Sequence, residues 1–424
     1  MTMSRWLKAG LLLLLLALLP WPALAQGGTR FQAMAAQGNF PKEILFTVEV
    51  VSDAEITHLE LAYRVSGDPF THSRYPDITP ARRLEVTYRL DTQVEFYPPG
   101  SEFHYYWIAT DASGKTSESP EQTFTYEDNR FTWKKVATDR VAVYWYEGGE
   151  AFGQAVLDTA ARALERLEHD AGAQAERPIR IYLYANEEDF RGALGPNSPE
   201  WIGGQSMPHL GLIVAYIEPG DTYEIRRMIP HELSHVVLYQ ATHNPYGGNP
   251  TWFEEGLAVH NQEVPDYDYP LLVQEAARNG RLIPLRALSA SFPSDPELAV
   301  LSYAESASIV EFILQEYGSA GLAALVQVFA EGETAEAAVQ RALGLSLEEL
   351  EARWRATLPA AERTPAPGET PAPLTRPAAG PDLALLLPVA LTTVIALGVI
   401  LAAVVLLVRR RRQAGEGEDE GTWK

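Results

Sequence analysis

The chain has 424 residues, with 56 acidic against 34 basic side chains and a formal net charge of −22. That balance excludes nucleic acid as a partner, because nothing would offset phosphate repulsion over an acidic surface. With no cysteine anywhere, disulfides, a Cys-ligated metal and a cysteine nucleophile are excluded too, so each domain must be stable from its own core.

In chain order, residues 1–25 read as a secretory signal: Arg5 and Lys8 precede an apolar run, and Ala23-Leu24-Ala25 is a small-residue cleavage site. Residues 30–127 read as an all-β sandwich of the immunoglobulin or fibronectin kind. Leu59, Leu61, Tyr63 and Val65 alternate with His58, Glu60 and Arg64; Phe103, Tyr105 and Trp107 repeat the pattern, and 111–115 supply a hairpin turn. Such a module can position the domain that follows, bind a partner or act as a spacer, and the spacer is the expected role. From 131 to 358 the character is α/β and then helical, with strands predicted at 141–146 and 179–184, a helix at 151–171 and an extended segment at 211–217. Residues 359–382, rich in Pro, Ala and Thr, read as a semi-extended stalk. The uncharged apolar run 383–408 is long enough to cross a bilayer, and Arg409, Arg410, Arg411 and Arg412 follow it. The expectation is a single-pass protein of the cell membrane with its ectodomain outside and residues 409–424 as a cytoplasmic tail.

The most informative string is His231-Glu232-Leu233-Ser234-His235. Residues i and i+4 share a helix face, so both imidazoles can reach one Zn²⁺ while Glu232 points toward the metal's open position. Pro230, just before, either begins this helix or kinks it. A third ligand is expected from Pro250-Thr251-Trp252-Phe253-Glu254-Glu255-Gly256-Leu257-Ala258. Thr251 and Glu254 have capping-box spacing, which occupies Glu254 and leaves Glu255 as the candidate ligand, with Glu254 in reserve. Gly256 would let this second helix approach the histidine helix closely. His209 and His260 read as partly exposed polar residues rather than ligands.

With these residues the chain resembles the gluzincins of the MA clan of metallopeptidases, and among them bacterial peptidase MA-like families, over 131–358. Glu255-Gly256-Leu257-Ala258 matches their E-G-[FL]-A pattern. The resemblance implies a zinc site of His231, His235 and Glu255, with Glu232 as general base in hydrolysis of a peptide or protein substrate. It also implies a tyrosine of the helical half as oxyanion donor, for which Tyr303 is the candidate, and a sheet edge beside the metal, for which 211–217 is the candidate by position. Two departures stand out: His260 replaces a frequent aromatic residue, and Val259 occupies the place of the aspartate that orients a ligand histidine in thermolysin-type sites. The alternative is a non-catalytic surface protein that keeps the fold as a scaffold. The string upstream of His231 shows no glutamate motif for a free amine, which leaves endo- and exopeptidase action both open, and the sequence carries no expectation of oligomeric state.

Overall fold

The computed structural model describes residues 28–195, 198 and 203–360. The expected signal, membrane span and tail, and nearly all of the stalk, lie outside the described residues. The described residues all belong to one compact unit, 1–362.

Seven strands build the N-terminal module: β1 (Arg30–Asn39), β2 (Glu43–Val65), β3 (His72–Arg74), β4 (Ala81–Asp91), β5 (Ser101–Asp111), β6 (Thr116–Glu118) and β7 (Gln122–Tyr126). The long β2 serves two leaves. Its first half pairs with β1 and β4, and its second half, beyond an irregularity after Val51, pairs with β5 and β3. Phe46 of the first leaf lies 5.0 Å, centroid to centroid, from Tyr105 of the second, so the leaves face each other and bury the alternating side chains that the sequence marked. The turn after β5 forms because Asp111 accepts from the backbone N–H groups of Ser113 and Lys115, and Gly114 takes a positive φ of 83°.

A five-stranded sheet follows, in the order β11-β12-β10-β9-β8: β8 (Lys134–Ala137), β9 (Val141–Trp145), β10 (Ile179–Tyr184), β11 (Gly204–Met207) and β12 (Leu212–Tyr216). The crossover from β9 to the parallel β10 is α1 (Glu150–Ala171), which ends at Gly172 with φ 62°. Alternation along β10 assigns its two faces to different partners. Ile179, Ile181 and Leu183 enter the helical core with Val156, Leu164 and Ile229, whereas Tyr182 and Tyr184 enter the core of the β-module with Phe103, Trp107 and Tyr126.

The β-module is therefore no loose spacer. Tyr182 and Tyr184 donate to Glu127 and Asp128 at 2.9 and 2.7 Å, and Arg180 donates to the Gly100 carbonyl at 2.7 Å. The sheet is mixed, parallel through β9-β10-β12 and antiparallel at β8 and β11; its parallel centre is apolar on both faces and needs cover on both, and here the β-module takes the place of a second helix layer.

The helical part comprises α2 (Glu187–Arg191), α3 (Thr222–Thr242), α4 (Thr251–Asn261), α5 (Tyr269–Arg278), α6 (Leu285–Leu288), α7 (Pro296–Ala330), α8 (Ala335–Leu343) and α9 (Leu347–Ala356). By length and composition α7 would be long and apolar enough to cross a membrane. Its buried Ile309, Val310, Ile313, Leu322 and Leu325 instead make it the central helix of this core, broken where Gly318 takes φ 67°.

Candidate metal centre

Asp221 starts α3 by accepting from the N–H groups of Tyr223 and Glu224. Pro230 lies inside the helix rather than at its beginning. Lacking an N–H, it cannot bond the Arg226 carbonyl one turn back, and that carbonyl accepts instead from the Glu263 N–H at 3.0 Å. Beside it, the buried Asn261 donates to the Pro230 carbonyl at 3.2 Å and to Ser234 Oγ at 2.9 Å, while Arg166 of α1 donates to the Asn261 side chain at 3.0 Å. The C-terminus of α4 is thus stitched to the middle of α3, which sets the register between the two helices that carry the candidate ligands.

That register brings His231, His235 and Glu255 together, all of their ligand atoms within 4.8 Å of one another. The two Nε2 atoms are 3.4 Å apart, and Glu255 Oε2 lies 3.5 and 3.6 Å from them. Ligands held about 2.0–2.2 Å from a tetrahedral ion stand roughly 3.3–3.6 Å from each other, so the spacing is that of a metal's coordination shell. Glu255 Oε2 is fully buried and has no hydrogen-bond partner, an arrangement that is costly unless a cation is bound there. Burial, aided by His235 and Arg227, pushes His231 well below the usual histidine range, which keeps the imidazole neutral and its lone pair available. Burial also raises Glu255, against the opposing pull of His235.

Glu232 lies beside this cluster, its Oε2 accepting from the Ser206 backbone N–H at 2.9 Å. It lines a cavity of about 290 Å³ together with His231, Tyr303, Gly203 and Gly204. The tyrosine that the sequence singled out does reach this cavity, its ring centroid 6.4 Å from that of His231, and burial beside Glu255 and Glu232 raises its pKa, keeping the hydroxyl protonated. Arg227 and Asp266 line the same cavity and pair at 2.9 Å. Sequence reasoning passed over both, although Arg227 sits one turn before His231 and hence on its face. A larger cavity of about 530 Å³, lined by His260, Ser308 and Glu311, contains none of the clustered ligands.

Three expectations need correction. No capping box forms at Thr251: Pro250, extended at φ −67° and ψ 140°, is the N-cap without a side-chain bond, and Glu254 accepts from Asn249. Glu254 stays outside the cluster all the same. Gly256 allows close approach to α7 rather than to the histidine helix, since a Cβ there would lie 2.5 Å from the Ser306 carbonyl oxygen. Segment 211–217 is not the sheet edge. Its strand β12 runs between β10 and β11, and the edge beside the cavity is β11. His260 is partly exposed and outside the cluster, as expected, and bridges Asp170 and Glu311 at 3.2 and 3.3 Å; His209 is exposed and outside the cluster too.

An α/β sheet, a helix bearing two histidines and a glutamate from the next helix define the gluzincin class. Residues 159–360, just under half of the chain, match the family model of the Peptidase MA superfamily, and over this stretch the chain carries a domain of that superfamily. No match among curated proteins was found. Among solved structures, the chain is similar to an M1 zinc metallopeptidase from Deinococcus radiodurans, with 15% identity, 81% of this chain and 98% of that one covered, and a TM-score of 0.37. A mutant of the enzyme bound to a Tyr-Ser-Ala substrate gives 14% identity, 82% and 98% coverage and a TM-score of 0.35. OgpA from Akkermansia muciniphila gives 16% identity over 24% of this chain, with a TM-score of 0.19. The present chain covers only 28% of that protein's length.

Proposed function

We propose that this protein is a zinc-dependent peptidase, anchored in the cell membrane by one helix, that hydrolyses peptide bonds outside the cytoplasm. The observation that carries the reading is the unpartnered, buried Glu255 Oε2 converging with two imidazole nitrogens, with Glu232 and a cavity beside them. His231, His235 and Glu255 would hold the zinc. When bound there, it supplies Lewis acidity, making water acidic near neutral pH and polarising a carbonyl.

The remaining work falls to the chain's own residues. Glu232, its carboxylate steadied by the Ser206 N–H, takes a proton and returns it to the leaving nitrogen. Tyr303 donates its hydroxyl proton to the oxygen of the attacked carbonyl as charge develops there. Because Ser206 N–H points away from β12, alternation along β11 turns the backbone groups of Gly204 outward as well. Such an open edge suits the backbone of an extended peptide. The leader-like residues 1–25, the apolar span 383–408 and the arginines after it support the location.

The test uses the full chain in detergent and a mixed peptide library read by mass spectrometry. Glu232→Gln keeps size and hydrogen bonding but cannot accept the proton, so zinc content and melting temperature should stay unchanged while hydrolysis falls by about 10²-fold or more. A zinc-loaded wild type that cuts nothing, or a Glu232→Gln variant as fast as wild type, would leave the scaffold reading as the better account.

A further inference from the structure

The carboxylate that orients a ligand histidine in thermolysin-type sites has no counterpart at Val259. The structure puts another group against the outer ring nitrogen of His231. Gln262 ends α4 with an extended backbone, φ −60° and ψ 141°, and its side chain turns back over α3 until Nε2 lies 3.2 Å from His231 Nδ1. Its other amide atom, Oε1, is buried and without a hydrogen-bond partner. A side-chain amide has two nearly isosteric ends, and their assignment follows from the hydrogen bonds they make.

The two orientations of this amide go with two tautomers of His231. With Nε2 toward the ring, the amide donates to Nδ1, so the ring proton sits on Nε2 and points into the cluster, where Glu255 Oε2 is 3.5 Å away. With the amide reversed, Oε1 accepts from Nδ1–H. This gives the amide oxygen its partner, moves the amide NH2 to the far, unpartnered end, and leaves the His231 Nε2 lone pair facing His235 and Glu255. Resting on the zinc reading above, we propose that Gln262 is the positioning residue for His231, holding by its Oε1 the tautomer that binds the metal. A carboxylate in this place would accept only, and would commit His231 to that tautomer; the amide supports both. Its own position is fixed by its neighbours, since Asn261 and Glu263 bond α3 on either side of it.

The test measures zinc affinity of the full chain in detergent by competition with a chelating dye, together with the melting temperature of the metal-free protein. Gln262→Met retains length and removes the acceptor; it should weaken zinc about 10- to 100-fold, the usual effect of losing such a support, and leave the metal-free melting temperature within a degree or so of wild type. Gln262→Glu should restore wild-type affinity or exceed it. Equal affinity of wild type and Gln262→Met overturns the proposal while leaving the zinc reading intact. Loss of affinity that Gln262→Glu fails to restore, accompanied by a lowered melting temperature, overturns it too, because the side chain is then packing material. A wild type that takes up no zinc overturns both readings.

Discussion

Glu305 gives the sharpest test of the energetics of this fold. It sits on α7 with no exposed surface, both carboxylate oxygens accepting from the single N–H of Ile283 at 3.1 Å. Burial raises its pKa from 4.5 to about 8, against the opposing effects of that N–H and of Arg355. At neutral pH the folded protein therefore holds a proton that the unfolded chain has released. The folded state binds more protons between the two values, so stability falls as pH rises from about 4.5 and levels off above about 8. At about 1.4 kcal/mol per pKa unit the full drop is about 5 kcal/mol, of the order of a domain's whole stability. Glu305→Gln keeps an acceptor for Ile283 and cannot ionise. Its stability minus that of wild type, from denaturant unfolding of the metal-free chain, should be near zero at pH 5 and grow by several kcal/mol by pH 9. Taking the difference at each pH cancels the histidines, which titrate alike in both proteins. A constant difference across the range would show that Glu305 ionises as freely in the fold as in the unfolded chain, and would refute the reasoning.

Three other outcomes are expected. Glu255→Ala should lose zinc, measured by metal analysis after dialysis, whereas Glu254→Ala should keep about one ion per chain; the reverse order would move the ligand by one residue. Gly256→Ala drives a methyl group against the Ser306 carbonyl at 2.5 Å and should cost about 1–3 kcal/mol by overpacking, with an unchanged melting temperature as the contrary result. Protease added to intact cells should digest the ectodomain and spare an epitope placed after Lys424, and a tag accessible from outside would reverse the proposed orientation.

How much of this was legible in the sequence depended on whether the signal was local. The strands at Val141–Trp145 and Ile179–Tyr184 and the helix at Glu150–Ala171 follow from periodicity, and His231 and His235 are spaced by the helix itself. Glu255 and not Glu254 lies in the cluster, although the capping argument that favours it fails because Pro250 occupies the cap. The edge strand Gly204–Met207 escaped notice because four residues, one of them glycine and two polar, carry no alternation. What Gly256 touches, and what covers Tyr182 and Tyr184, are tertiary facts: the composition announces a close approach or a buried aromatic face without naming the partner. Gln262 lies beyond the end of its helix, where no periodic pattern places a side chain.

Pro230 carries a consequence of its own. A helix with an amide proton at that point would complete its own ladder on the Arg226 carbonyl, and Glu263 would have to share that acceptor. The gap in the ladder is thus the socket in which the neighbouring chain is seated, and a local sacrifice of helical regularity becomes the reference mark from which the spacing of the two histidines and the glutamate is measured. A sequence tuned for the most regular α3 would gain helix and lose alignment, so regularity of the part and accuracy of the assembly pull against each other at this residue.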